Sequence, residues 1–183
     1  MEIRTQRLIL RPWRETDAES LYEYASDPEV GPIAGWPPHK SVADSLAVIR
    51  NVLSAEETYA VCRKEDGRAI GSVGLILNGR TDMTDRDDEC ELGFWIGREF
   101  WGQGLIPEAA GALLDHAFGG LHMRTVWCGY YDGNARSKRC QEKLGFVYHH
   151  TCKDVPVLRL GETRVGHTNF MTRERWQALR EER

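Results

Sequence analysis

Apolar and polar residues alternate along several segments of the chain, and this period of two predicts β-strands. Near the N-terminus, Leu8 and Leu10 face one side of such a strand while Ile9 faces the other. Between two later strands stands Asp66-Gly67, a residue pair typical of hairpin turns. The predicted strands cover residues 3–11, 58–64, 70–77, 89–97, 125–131, 146–152 and 163–171.

In the intervening segments apolar residues recur every three or four positions, which predicts helices. Ser41 and Asn134 stand at two expected helix starts, where their side chains can accept a backbone N–H. Thr16 and Glu19 form a capping-box pattern at a third start. The predicted helices cover residues 16–25, 41–53, 106–117, 134–144 and a short stretch around 176–179, with a loop at 28–40.

The order of these elements predicts the architecture. Hairpins occupy the middle of the chain and strand–helix–strand units its later half, an order that favours a mixed sheet covered by helices. No linker-like segment or internal repeat interrupts residues 1–183. We therefore expect one α+β domain.

Composition narrows the possible partners. Hydrophobic residues make up 41% and charged residues 28%, as in an ordinary globular domain. The formal net charge is −4 with both signs interleaved, which argues against a nucleic-acid partner and is compatible with a cationic one. Because no apolar run approaches the length of a membrane span and the N-terminus lacks a secretory core, we expect a cytoplasmic protein with no membrane partner.

The cysteines are scattered and include no CxxC pair, so they suggest neither a disulfide framework nor a zinc site. The histidines show no metal-ligand spacing either, and we expect no metal. Each cysteine is instead expected to be a buried small hydrophobe. They are Cys62, Cys90, Cys128, Cys140 and Cys152.

The segment with the most specific chemistry joins the strand at 89–97 to the helix at 106–117. Gly102 and Gly104 let the backbone approach a ligand closely, and the amides beyond them would lie at a helix N-terminus, where negative charge is stabilised. This pattern indicates a pyrophosphate site, with a plain strand-to-helix turn as the alternative. Pro107 stands where a dinucleotide GxGxxG motif needs glycine, and the chain contains no GKS or GKT sequence of a P-loop.

Three segments in succession resemble the GNAT superfamily of acetyltransferases. Residues 89–118 resemble its motif A, which binds the pyrophosphate of coenzyme A (CoA), and residues 130–146 resemble its motif B. Residues 7–30 resemble the opening of the RimJ/RimL-type branch, whose known members acetylate ribosomal-protein N-termini. Glu99 departs from the motif, which has Gln or Arg there; because backbone amides bind the phosphates, we expect this change to be tolerated.

The resemblance implies the GNAT fold, with a mixed, mostly antiparallel central sheet of about seven strands flanked by helices. It also implies acetyl-CoA as the cosubstrate, its acetyl and pantetheine groups held by the backbone amides of residues 94–96. Arg98, Lys138 and Arg139 are candidates for its phosphates, or ordinary solvated cations. The implied cofactor-binding residues are Phe94, Trp95, Ile96, Trp101, Gly102, Gln103, Gly104, Leu105, Ile106, Asn134 and Ser137.

Transfer of an acetyl group to an amine needs a base for the protonated amine and an acid for the departing sulfur. The resemblance places Ser137 near the sulfur as the acid, although this serine could simply belong to the first turn of a helix capped by Asn134. Tyr130 and Tyr131 are alternative acids. Glu91 is the candidate base; a structural carboxylate paired with an arginine, or a chain of water molecules serving as base, are the alternatives.

The acceptor is less well specified. Trp36 and His39 belong to a loop that lines the acceptor site in relatives, and they are the candidate substrate-binding residues. A rigid proline turn with a packed tryptophan is the alternative. The acidic loop at 82–88 could attract a cationic amine or be merely solvated.

We therefore predict an N-acetyltransferase that moves acetyl from acetyl-CoA to a primary amine by direct transfer in a ternary complex. The acceptor would be a protein N-terminal α-amine or a small amine. The alternative is a non-catalytic CoA- or acyl-CoA-binding module for sensing or assembly, which would need the glycine turn but neither Ser137 nor Glu91. The resemblance also suggests a homodimer.

Overall fold

A computed structural model describes residues 1–182. The strands are β1 (Ile3–Arg4), β2 (Leu8–Pro12), β3 (Thr58–Arg63), β4 (Ala69–Ile76), β5 (Glu89–Ile96), β6 (Thr125–Tyr131), β7 (Val147–Val157) and β8 (Glu162–Thr172). The helices are α1 (Ala18–Ala25), α2 (Gly31–Ala34), α3 (Val42–Val48), α4 (Leu105–Asp115), α5 (Ala135–Leu144) and α6 (Arg173–Glu181). Helix α2 lies where the sequence predicts only a loop.

One mixed sheet runs through the molecule in the order β1-β2-β3-β4-β5-β6-β8-β7. Neighbouring strands are antiparallel except β5 and β6, which are parallel, so the predicted α+β class and the mostly antiparallel sheet are confirmed. The sheet has eight strands rather than about seven, because residues 3–11 form two strands instead of one. The Thr5 hydroxyl accepts the Leu8 N–H at 3.0 Å and turns the chain back on itself there.

Two of the three predicted helix starts are confirmed. Ser41 and Asn134 each accept the backbone N–H three residues on, at 3.0 and 3.1 Å. The capping box at Thr16 was wrong, because the Asp17 carboxylate accepts the Arg14 N–H at 2.9 Å and a short 3₁₀ turn precedes α1.

The sheet buries side chains on both faces. On one face, Leu8 and Leu10 are fully buried in the main core with the apolar stripe of α4. On the other, Arg11 is buried among residues under α1 and forms two hydrogen bonds, of 2.7 and 2.8 Å, with the Asp17 carboxylate. This pairing explains how a charged side chain is tolerated inside the strand pattern.

Four of the five cysteines are buried, as predicted, and none forms a disulfide. Cys152 is exposed, which contradicts the prediction, because it lies on β7, the edge strand of the sheet. Within residues 1–182, every helix is too short or too polar to cross a bilayer.

Candidate active site

The site lies where the hydrogen bonding between β5 and β6 ends. Their parallel ladder pairs residues 89–91 of β5 with 125–127 of β6 and then stops. β5 continues along β4 as far as Ile96, and β6 continues along β8 as far as Tyr131. Two cavities open between the unpaired edges of β5 and β6.

The unpaired edge of β5 presents backbone N–H groups to this gap. Gly97 donates its N–H to the Ile70 carbonyl of β4 at 2.8 Å. Because N–H directions alternate along an antiparallel ladder, the Trp95 N–H also points to β4, while those of Phe94 and Ile96 point to the gap. Of the three amides expected to hold the acetyl and pantetheine groups, the geometry therefore leaves two available.

The first cavity, of about 200 Å³, lies between β5, the glycine turn and α5. Three cations and no carboxylate border it, and we call it the basic cavity. The cations are Arg136, Arg139 and Lys143. The predicted cofactor-binding residues in its lining are Phe94, Trp95, Ile96, Trp101, Gly102, Gly104, Leu105, Ile106, Asn134 and Ser137.

The glycine turn has the backbone that the sequence argument requires. Gly102 and Gly104 have φ values of +77° and +74°, a left-handed conformation that costs glycine little. The Arg7 guanidinium donates to the Gln103 carbonyl at 2.9 Å and to the Glu108 carboxylate at 2.7 Å. The turn is thus held from the far end of the sheet, and it delivers the first amides of α4 to the cavity.

Sequence reasoning found only one of the three cavity cations, Arg139. Arg136 and Lys143 were missed, although their spacing of three to four residues from Arg139 places them on one helix face. The Arg136 guanidinium lies 3.6 Å from the centroid of the Trp101 ring, a cation–π contact at the cavity wall.

Three predicted residues do not border the basic cavity. Gln103 turns its side chain away and donates to the Glu99 carbonyl at 2.9 Å. Arg98 pairs with Glu29 at 2.8 Å, and Lys138 lies 3.9 Å from a glutamate one turn further on.

The second cavity, of about 720 Å³, is lined by β4, β5, β6 and the β7–β8 hairpin. Three carboxylates and no lysine or arginine border it, and we call it the acidic cavity. They are Asp82, Glu91 and Asp154. The residues that it shares with the basic cavity, and where the two meet, are Ile33, Ala34, Phe94, Trp95, Asn134 and Ser137.

Glu91 borders the acidic cavity without an arginine partner in the described residues, so the ion-pair alternative does not hold. Its carboxylate accepts a hydrogen bond from the Thr81 hydroxyl. Burial raises the pKa of Glu91, the Thr81 bond lowers it in part, and nearby Asp82 raises it again. The net increase brings this carboxyl closer to the range of a useful base.

The other candidates divide between the site and its surroundings. Tyr130 and Tyr131 border the acidic cavity, and burial raises the pKa of both phenols. Trp36 also borders it, with its ring edge-on to Trp95 at 5.6 Å between centroids. His39 borders neither cavity: its Nδ1 lies 2.8 Å from a serine hydroxyl behind Trp36, and burial lowers its pKa.

The sequence profile of the Acetyltransferase (GNAT) domain family matches residues 7–147, a span that includes the glycine turn, Glu91 and Ser137. The chain belongs to the GNAT family. It is 30% identical over 148 residues to p20, an uncharacterized N-acetyltransferase of Bacillus licheniformis, covering 78% of this chain and 80% of that protein.

Solved structures share the GNAT fold over nearly the whole chain. A GNAT-family acetyltransferase from Bacillus anthracis superposes with a TM-score of 0.82 at 20% identity, covering 95% of this chain and 99% of the other. The ribosomal-protein-S5-alanine acetyltransferase of Vibrio fischeri gives a TM-score of 0.73 at 17% identity, covering 96% and 98%. At these identities the likeness establishes the fold alone.

Two buried cysteines border the site of this GNAT domain, and both are protonated at neutral pH. Burial raises the pKa of the Cys128 thiol, in the acidic cavity, well above its usual value, and that of Cys140, in the basic cavity, to about 12. Such thiols are poor nucleophiles. Among residues 1–182, no three His, Cys, Asp or Glu side chains come together as metal ligands.

Proposed function

We propose that this protein transfers an acetyl group from acetyl-CoA to a cationic primary amine. The observation that carries the proposal is the junction of the basic and acidic cavities at Phe94, Asn134 and Ser137. Two substrates of opposite charge could each reach that junction from its own side. An acyl group and an amine would then meet beside the free amides of β5.

The basic cavity fits CoA through its charge and its backbone. Left-handed Gly102 and Gly104 leave the amides at the start of α4 open to a pyrophosphate, which the helix dipole stabilises. The cations of α5 border the same space and would complement the remaining phosphate charge. The pantetheine arm would lie along the unpaired edge of β5, with the thioester oxygen accepting from the Phe94 or Ile96 amide.

The acidic cavity fits a protonated amine. Its three carboxylates are not neutralised by any lining lysine or arginine, so an ammonium is attracted and an anionic acceptor is repelled. A volume of about 720 Å³ is enough for a small amine or the first residues of a peptide. The RimJ/RimL-type resemblance of residues 7–30 supports a protein N-terminal α-amine as the first acceptor to test.

The incoming ammonium carries three protons, and the proposed reaction accounts for each of them. One passes to Glu91, whose raised pKa suits a base, and the freed nitrogen attacks the thioester carbon. The carbon–sulfur bond breaks, and the sulfur keeps the electron pair. Ser137 gives the sulfur its hydroxyl proton and recovers one from the nitrogen, and the third proton stays on the amide product.

Direct transfer, rather than an acetyl-enzyme, is supported by the cysteines. Cys128 borders the acidic cavity and Cys140 the basic cavity, and burial keeps both protonated. Cys152 also borders the acidic cavity, from the exposed edge strand β7. A ternary mechanism predicts intersecting lines in initial-velocity plots when both substrates are varied. Parallel lines would indicate a covalent intermediate and refute this part of the proposal.

The first test is release of CoA thiol from acetyl-CoA in the presence of a panel of acceptors, with the product mass as confirmation. The panel pairs cationic amines and peptides having a free α-amine with N-terminally blocked and acidic counterparts. We expect transfer to the cationic primary amines alone. Ser137→Ala should lower kcat by about 10²-fold with little change in the KM for acetyl-CoA.

Binding without transfer would favour the alternative of a non-catalytic CoA-binding module. In that case Ser137→Ala and Glu91→Gln would leave CoA affinity unchanged and no amine would be acetylated. If neither acetyl-CoA nor CoA raised the midpoint of thermal unfolding, with ATP as control, both the acetyltransferase and the CoA-binding-module hypotheses would be refuted.

A further inference from the structure

We propose that Gln141 is a positioning residue that directs the Ser137 hydroxyl hydrogen toward the CoA sulfur. This inference rests on the proposed function and assigns a role to a side chain in neither cavity lining. Gln141 lies on α5, one turn after Ser137, and is 0% exposed. Because buried polar groups in proteins are nearly always hydrogen-bonded, the partners of this buried amide show what it does beside the Ser137 hydroxyl.

All of the Gln141 side-chain polar groups are bonded. Its Nε2 donates to the Gly129 carbonyl of β6 and to the Ser137 hydroxyl oxygen, each at 3.1 Å. Its Oε1 accepts from Nδ2 of the buried Asn169 on β8 at 2.7 Å. The network therefore joins α5, β6 and β8 behind the cavity junction.

The Gly129 carbonyl fixes which way the amide points. A carbonyl oxygen can only accept a hydrogen bond, so the atom of Gln141 that faces it must be the nitrogen. The Asn169 amide group agrees with this orientation, because its Nδ2 donates to Oε1. With one Nε2 hydrogen on Gly129, the second is directed at Ser137.

This arrangement determines what the serine can do. A hydroxyl can donate or accept, but here its oxygen accepts from Gln141. Within residues 1–182 its hydrogen has no protein acceptor, and Ser137 borders both cavities. The hydroxyl is thereby held as a donor at the point where the thioester sulfur would depart.

The test replaces Gln141 by glutamate, which has the same shape. In either protonation state glutamate supplies at most one hydrogen where glutamine supplies two, and the Gly129 carbonyl also requires one. Ser137 would then donate to residue 141 rather than to the sulfur. We expect kcat to fall by about tenfold to a hundredfold while the KM for acetyl-CoA changes little.

A double-variant cycle separates positioning from a general structural effect. In the Ser137→Ala background, Gln141→Glu should cost no further activity, because the hydroxyl that it misdirects is gone. An equal loss in both backgrounds would overturn the proposal, as would an unchanged kcat in Gln141→Glu alone. If the wild type transferred no acetyl group, the proposed function itself would have failed and the inference with it.

Two further variants control for folding. Gln141→Met keeps the length of the side chain and removes the N–H that Ser137 accepts, so the hydroxyl is no longer held as a donor. We expect kcat to fall in this variant too, which provides a second test if the glutamate variant does not fold. Leu144→Ala lies on the same helix, is 3% exposed and faces the core away from both cavities. It should lower the unfolding midpoint yet retain kcat at temperatures where it is folded.

Discussion

Replacing Gly102 by alanine tests the phosphate-binding turn most directly. The new methyl group would meet no protein atom within 4 Å, and Gly102 borders the basic cavity. At a φ of +77° it would still strain the backbone by about 1–2 kcal/mol. We therefore expect a modest loss of stability together with a loss of CoA affinity, since the methyl group would take up space proposed for the phosphates.

Gly67 provides a matched control. It has a φ of +71°, and an added methyl group there also meets nothing within 4 Å. It belongs to the hairpin turn between β3 and β4 and borders neither cavity. Gly67→Ala should therefore cost a similar amount of stability and leave CoA binding unchanged.

The magnitude follows from ligand linkage. Acetyl-CoA at 100 times its Kd stabilises the folded state by about 2.7 kcal/mol, which for a chain of this size raises the unfolding midpoint by roughly 5–11 °C. If the Gly102 methyl group weakens binding tenfold, the same concentration contributes about 1.4 kcal/mol. The ligand-induced shift should therefore fall by about half in Gly102→Ala and stay at the wild-type value in Gly67→Ala.

The assay is thermal unfolding of the three proteins with and without acetyl-CoA, supported by calorimetric Kd values. An equal ligand-induced shift in all three would mean that no phosphate lies against Gly102, and the glycine turn would be only a structural element. An equal loss in both variants would show that strain, rather than contact with the ligand, weakens binding.

Three other predictions test the base, the cations and the buried ion pair. Because burial raises the pKa of Glu91 and a base must be deprotonated, kcat/KM should rise as the pH increases through that pKa. Glu91→Gln should abolish this rise. If the rise persisted, a chain of water molecules rather than Glu91 would be the base. Arg136→Ala should raise the Kd for acetyl-CoA about fivefold to tenfold at low salt. Arg98 lies outside the cavity, so Arg98→Ala should change that Kd less than about twofold. Equal effects of the two substitutions would contradict phosphate binding in the basic cavity. Asp17→Ala leaves the buried Arg11 charge unpaired and should lower the free energy of unfolding in urea by about 3–5 kcal/mol; a loss below about 1 kcal/mol would mean that water reaches the arginine.

The features that could be predicted from the sequence are those that depend on neighbours in the chain. Ser41 and Asn134 cap their helices because the N–H that each accepts lies three residues on. The Asp66-Gly67 hairpin and the left-handed glycines of the turn follow from local backbone sterics in the same way. Thr16 shows the limit of this reasoning, since it lies within a 3₁₀ turn that begins after Arg14, and the Asp17 carboxylate accepts the Arg14 N–H.

The site itself was decided by contacts between distant parts of the chain. Glu91 is bonded to Thr81 rather than to an arginine, and His39 turns toward a serine behind Trp36. Nothing in the local sequence specifies either partner, because each depends on how loops fold over the sheet.

The separation of charge is the clearest case. Acidic and basic residues are interleaved along the chain, yet Asp and Glu without Lys or Arg border one cavity, and Lys and Arg without Asp or Glu border the other. Gln141 likewise reads as an ordinary helix residue until β6 and β8 bring Gly129 and Asn169 against it. The sequence by itself determined the elements, the glycine turn and the resemblance to a family, since these depend on neighbouring residues and recurring motifs. Only the tertiary structure decided which charges, amides and hydroxyls face one another, because those distances are set by packing between residues far apart in the chain.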